Sequence, residues 1–180
     1  GLVRMCQLVL PGMRRQGFGR IVNIGSMGGV LTFPGGGIYH STKYAVEAIS
    51  DALRFEVKGF GVDVVLVQPG LIRTEFSEAA VSSIGAVKKP EGPYGAFTDT
   101  VAKATKEAYE KGPLALLGGS GEDVAAAIER ALCAKCPKAR YRVTLSAHLL
   151  MTQRAMLPDR VWDFFLKTQF PQPGRDVTDA

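Results

Sequence analysis

The stretch that decides the fold is GRIVNIGSMGGVLTFPGGGIYHSTKYAVEAISDALRFEVKGFGVDVVLVQPG, residues 19–70. Arg20 to Ile24 is a short β-branched run closed by Gly25, which reads as a buried strand. From Ser26 to Gly37 the glycines and Pro34 forbid regular structure, so the chain is a loop. Helical periodicity resumes at Ile38 and runs through Ala45, Ile49, Ala52, Leu53 and Val57, with Glu47, Asp51, Arg54 and Lys58 as a polar stripe, until Gly59 and Gly61 end it. Residues 62–67 are a near-continuous apolar strand that stops at Gln68-Pro69-Gly70. Upstream, Leu2, Met5, Cys6, Val9 and Leu10 recur at helical spacing and predict a helix over residues 1 to about 15, broken between Pro11 and Gly19. Helix, strand, helix, strand is the order of a parallel α/β sheet with right-handed crossovers, covered by helices on both faces. Ligands of such doubly wound sheets bind beyond the carboxyl ends of the strands, which points to the loops after Ile24 and Val67.

Downstream the character changes. Residues 71–119 are interrupted by nine glycines and prolines and hold one expected helix, from about Thr98 to Lys111; a long excursion of this kind reads as a lid. Ser120-Gly-Glu-Asp123 has the form of a capping box and opens a helix that Pro137 stops. Residues 141–145 predict a short strand, and Leu149 to Met156 and Asp159 to Lys167 two short helices split by Pro158. The expected division is a single partial domain with a core at 1–70, a lid at 71–119, a closing segment at 120–170 and a tail at 171–180.

With 46% hydrophobic and 22% charged residues in 180, the chain can bury a core. The longest uncharged stretch, 21–42, contains Asn23, Ser26, Pro34 and His40, so no transmembrane segment is expected. The net charge of +5 sits at the two ends, with no Lys/Arg run longer than two and no interleaved aromatics, which argues against nucleic-acid binding. Cys6, Cys133 and Cys136 do not make a disulfide framework, so a reducing, cytoplasmic setting is expected. Cys133-x-x-Cys136 lacks the second half of a zinc site, and no metal is expected. Gly1 begins nothing resembling a secretory signal, and the chain reads as starting inside a longer sequence.

Tyr39 and Lys43 lie four apart at the start of the long helix and so share a face. A phenol that ionises near ~10 is a poor acid–base catalyst at neutral pH, but a nearby cation favours the phenolate; lowering its pKa by about 2–3 units takes roughly 3–4 kcal/mol of differential interaction. The spacing alone also fits a tyrosine packed on the core beside a solvated lysine. Ser26, immediately after a buried strand, brings a hydroxyl to the ligand-binding edge of the sheet. His40 is expected to face a neighbouring surface, and Asn23 to satisfy loop backbone.

Taken in order, Gly19-Arg-Ile-Val-Asn-Ile-Gly-Ser26, Tyr39-His-Ser-Thr-Lys43-Tyr-Ala-Val and Val67-Gln-Pro-Gly70-Leu-Ile-Arg-Thr74 make the sequence resemble the short-chain dehydrogenase/reductase family. The resemblance implies an NAD- or NADP-dependent oxidoreductase that interconverts a secondary alcohol and a ketone or aldehyde. Tyr39 would be the general acid/base, Lys43 would lower its pKa and hold the nicotinamide ribose, and Ser26 would hydrogen-bond the reacting oxygen of the substrate. Pro69 and Gly70 would shape the floor under the nicotinamide, Ile72 would offer backbone groups to its carboxamide, and Thr74 would help hold that amide.

The family's opening TGxxxGxG turn and NNAG segment are not in the chain, so the resemblance implies the C-terminal part of a Rossmann-like domain, with an apolar unpaired sheet edge if it stood alone. The length after Gly70 is similar to the retinol-dehydrogenase and 17β-hydroxysteroid-dehydrogenase-like branch, which implies a lipophilic small-molecule substrate. Leu71 and Phe76, with Val81, Ile84, Val87, Tyr94 and Phe97, are the expected substrate contacts or lid packing. A homodimer or homotetramer through the helices of 1–15 and 38–58 is also implied. Two alternatives remain: a catalytically silent oligomerisation or lipid-binding module, and a nucleotide-sugar epimerase or dehydratase, which shares YxxxK.

Overall fold

A computed structural model of the chain describes residues 1–86, 92–111 and 114–174, without the side chains of Ser77 and residues 84–86. In chain order the regular elements are α1 (Leu2–Gln16), β1 (Gly19–Ile24), α2 (Gly37–Val57), β2 (Val62–Gln68), α3 (Phe76–Ala86), α4 (Gly95–Glu110), α5 (Gly121–Cys133), β3 (Arg140–Arg142), α6 (Leu145–Met156) and α7 (Asp159–Gln169). The three strands form one parallel sheet in the order β1-β2-β3, with Gly19 opposite Val62, Ile24 opposite Val67, and Leu66 opposite Arg140. β1 therefore lies at one edge of the sheet, as expected.

The two-residue period of the strands sorts their side chains by face. Ile21, Val62 and Val64 join Cys6 and Val57 in a core that Leu2, Leu10 and Met13 of α1 and Leu53 of α2 complete. On this face Asn23 donates to Ser50 Oγ of α2 at 2.9 Å, fastening β1 to the helix rather than satisfying a loop. The opposite face carries α5, whose Ala127 and Ala131 are buried. Arg20 reaches under the end of that helix and donates from Nη1 to the carbonyls of Ala131, Leu132 and Ala134, while its Nη2 pairs with Asp63 of β2 at 3.1 Å. A guanidinium at unsatisfied C-terminal carbonyls both caps the helix and complements its dipole. A second core, Met27, Leu31, Leu71, Ala147, Leu150, Met151 and Trp162, sits above the carboxyl ends of the strands.

Several expectations are corrected. Pro11 lies inside α1, which runs on to Gln16. In α2 the stripe is turned: Glu47 is buried, accepting from Gln68 Nε2 at 2.7 Å and from Arg140 at 3.2 Å, whereas Ile38 and Phe55 are 85% and 89% exposed. Burial of that carboxylate is offset by three charge-assisted or amide donors, which residue type alone cannot announce. The excursion holds two helices, α3 and α4, instead of one. β3 is only Arg140–Arg142, because Thr144 is already the cap of α6, accepting from Ala147 N–H at 3.1 Å. The Ser120–Asp123 capping box is formed.

Candidate active site

The two loops beyond β1 and β2 are held together by backbone. Gly25 N–H donates to Val67 O and Met27 N–H to Pro69 O, both at 2.8 Å. After β1 the chain enters a single 3₁₀ turn, Met27–Gly29, for which Ser26 is the cap: its Oγ accepts from Gly28 N–H at 3.1 Å. With one lone pair so occupied, the hydroxyl keeps its proton free to donate. Gly28 lies against the Tyr39 ring, since a Cβ placed on it would be 3.4 Å from Tyr39 Cε1. The loop thus carries Ser26 to the first turn of α2, where Tyr39 is 36% exposed, open enough to meet a ligand.

Lys43, one turn on, donates from Nζ to Ile24 O at 3.3 Å, and the same Nζ stands 5.9 Å from the centre of the Tyr39 ring. Partial burial pulls its ammonium below the ordinary lysine range. Ser26, Tyr39 and Lys43 therefore lie together at the carboxyl end of β1.

The turn after β2 is seated on α6. Leu71 N–H donates to Ser146 Oγ at 3.1 Å, and Thr144 and Ser146 hydroxyls bond each other at 2.8 Å. A Cβ on Gly70 would run into Thr144 Oγ1 and come within 2.5 Å of Ser146 Oγ, so a glycine is needed for the turn to seat on α6. Residues 71–73 then form one parallel bridge with Gly119: Gly119 N–H to Leu71 O at 2.8 Å and Arg73 N–H to Gly119 O at 2.9 Å. That bridge uses the neighbours of Ile72, and Ile72's own N–H and C=O have no partner among the described residues. Thr74 Oγ1 accepts from Phe76 N–H at 3.3 Å and keeps a proton to donate. Unpaired amide groups beside a free hydroxyl are a donor and acceptor set that fits the carboxamide of a nicotinamide.

Of the expected substrate contacts, Phe76 is brought to the site, its ring centre 5.2 Å from that of Tyr39. Leu71 is 5% exposed and belongs to the second core, the packing side of the two readings expected for it, so its side chain does not meet a substrate. Tyr94 and Phe97 pair with each other at 6.4 Å. Val87, and the side chain of Ile84, lie outside the described residues.

Two participants escaped sequence reading. Tyr109 of α4 stands 6.1 Å from Phe76, ring centre to ring centre, and its hydroxyl has no hydrogen-bond partner among the described residues. Burial, with the Tyr39 phenol nearby, pushes its pKa up to about 12. Its spacing of eight from the buried Val101 puts both on one helix face, the signal that could have found it. The other is His40, which is 9% exposed and bonded within its own chain, not turned to a neighbouring surface.

The family model described as short chain dehydrogenase matches residues 1–84. The oxidoreductase YbbO of Escherichia coli is 36% identical over 167 residues, 93% of this chain and 55% of its own length. The NADPH-dependent 3-dehydrocapnine reductase of Ornithobacterium rhinotracheale is 40% identical over 145 residues, 81% of this chain and 48% of its own. Among solved structures, a short-chain dehydrogenase from Streptomyces avermitilis superimposes with a TM-score of 0.64 at 30% identity, covering 92% of this chain and 55% of that one. The chain spans about half the length of the relatives it matches. By its likeness to these relatives and its parallel α/β sheet, the chain belongs to the short-chain dehydrogenase/reductase family.

Proposed function

We propose that the protein carrying this chain is an NAD(P)-dependent oxidoreductase that interconverts a secondary alcohol and a ketone, with Tyr39 as general acid/base. The observation that carries the reading is the convergence of Ser26, Tyr39 and Lys43, with Lys43 Nζ anchored on Ile24 O beneath the Tyr39 ring. Lys43 and the backbone of Pro69, Gly70 and Ile72, with Thr74, would hold the nicotinamide end of the cofactor, which supplies or takes up hydride when bound.

The chain's own part is protonic. In reduction Ser26 Oγ–H hydrogen-bonds the carbonyl oxygen, and Tyr39 gives that oxygen its phenolic proton as the carbon–oxygen double bond becomes an alcohol. In oxidation the phenolate takes the alcohol proton back. The Lys43 ammonium stabilises the phenolate, and the half-buried setting that destabilises its own charge strengthens that interaction. The aromatic wall of Phe76 and Tyr109 beside Tyr39 supports an apolar substrate, of the kind the retinol- and hydroxysteroid-dehydrogenase-like branch takes.

Self-association belongs to the same proposal. α1 exposes Val3, Met5 and Leu8, and α2 exposes Ile38 and Phe55, apolar surface that a second copy would cover in a homodimer or homotetramer.

The reaction is tested by following nicotinamide absorbance with NADPH and NADH against a panel of apolar ketones and secondary alcohols. Tyr39→Phe is expected to lower kcat about a hundred- to ten-thousandfold while cofactor binding, read by fluorescence, is retained. Near-normal turnover in that variant would overturn the mechanism; cofactor binding without turnover in the unaltered protein would favour a silent module.

A further inference from the structure

Next to Tyr39, the imidazole of His40 is wedged between two ends of the glycine-rich loop. Phe33 N–H lies 3.3 Å from Nε2, and Gly28 O lies 3.0 Å from Nδ1. An amide can only donate and a carbonyl can only accept, so Nε2 must carry the lone pair and Nδ1 the hydrogen: one neutral tautomer satisfies both contacts. A second proton on Nε2 would face the Phe33 N–H and break that contact.

The loop is cut to this ring. A Cβ on Gly28 would lie 2.7 Å from Nδ1, and one on Gly36 would lie 2.8 Å from Nε2. Neither glycine has a positive φ, so it is the space taken by the imidazole, not backbone conformation, that excludes a side chain at both. The ring also meets Tyr39 edge-on, with centres 5.5 Å apart, and Phe33 at 6.4 Å.

Gly28 is the residue that connects this staple to chemistry. Its carbonyl accepts from His40, and its N–H donates to Ser26 Oγ at 3.1 Å. We propose that His40 is a positioning residue: by pinning Gly28 it fixes the rotamer of Ser26, and by pinning Phe33 it closes the loop on the side where Tyr39 stands. The idea rests on the reaction proposed above, because its purpose is to keep the Ser26 proton aimed at the substrate oxygen. A misplacement of about 1 Å at such a donor costs up to a hundredfold in rate.

The test uses the whole protein that carries this chain. Long-range nitrogen NMR of the imidazole is expected to show Nδ1 protonated and Nε2 bare, and hydrogen exchange is expected to show a protected Phe33 amide that becomes unprotected in His40→Ala. His40→Ala should lower kcat about ten- to a hundredfold with the cofactor KM unchanged, and should add nothing in a Ser26→Ala background, since both changes remove the same oriented hydroxyl. His40→Asn, which keeps a donor for Gly28 O, should recover part of the rate. An Nε2-protonated ring, an unchanged Phe33 amide in His40→Ala, or rate losses that multiply between His40→Ala and Ser26→Ala would each overturn the proposal. If the unaltered protein turns nothing over, the reaction above fails, while the tautomer and exchange readouts still decide the staple.

Discussion

A phenol buried beside other aromatic rings is held neutral, because burial penalises its charged form. Tyr109, pushed up to about 12, ionises in the folded protein only well above the ordinary tyrosine value near ~10. The neutral form is the one the fold favours, so its contribution is fully present below pH ~10 and is lost as pH rises towards 12, on the order of 2–3 kcal/mol in all. Tyr109→Phe cannot ionise there. Denaturant unfolding between pH 10 and 12 is therefore expected to show a shallower loss of stability in the variant; identical slopes would mean that burial does not hold the Tyr109 phenol neutral. At this scale Ser26, Tyr39 and Lys43 are legible in sequence because each is tied to a strand end or a four-residue spacing. Tyr109 is not, because its place depends on how a distant helix folds back over the sheet, and His40 is not, because its partners are backbone atoms seven and twelve residues away in a loop without periodicity.

Among the elements, α2 does the most joining. It presents Tyr39 and Lys43 at its start, and two turns later Glu47 receives Gln68 of β2 and Arg140 of β3, while Asp51 receives Arg140 at 2.6 Å. Burial works against the Asp51 carboxylate, and the Arg140 and Arg54 guanidinium bonds overcome it and hold its pKa below the usual range. Removing Glu47 leaves the buried Gln68 amide without its acceptor while Arg140 keeps only Asp51, so Glu47→Ala is expected to destabilise the fold by about 1–3 kcal/mol. By contrast, Glu56→Ala, exposed on the same helix, should stay within about 0.5 kcal/mol. Urea unfolding of the two variants separates a structural Glu47 from a solvated one. The strands and the long helix can be read from sequence because their apolar period is strong. The facing of α2 cannot, because its outward side carries Ile38 and Phe55 and its inward side a carboxylate, the reverse of what periodicity assumes. α3 escapes for a related reason: the glycine and proline punctuation of residues 71–119 hides a helix between two breakers.

At the scale of the molecule, the exposed apolar side chains of α1 and α2 set the expected behaviour in solution. If the proposed self-association uses them, Phe55→Glu, which places a charge in the middle of the covered face, should shift the protein towards monomer in sedimentation velocity while leaving its circular dichroism unchanged. A sedimentation coefficient unaltered by the substitution would remove that face from the interface. Fold class was legible here because alternation of helix and strand survives without any partner, whereas assembly leaves no period in the sequence.

The parallel sheet also sets how much chain each ladder must close over. No strand pairs with its neighbour through a tight turn: Arg20 meets Asp63 across 43 residues, and Leu66 meets Arg140 across a still longer span that includes the whole excursion. Each ladder must wait for a large loop to close before any of its hydrogen bonds can form, so pairing of β1 with β2 is expected to precede the docking of β3, an order that folding rates of variants in β1 and β3 would check. Ser26, Tyr39 and Lys43 all lie within that first, shorter loop and can be in place before α3 and α4 have found their seat.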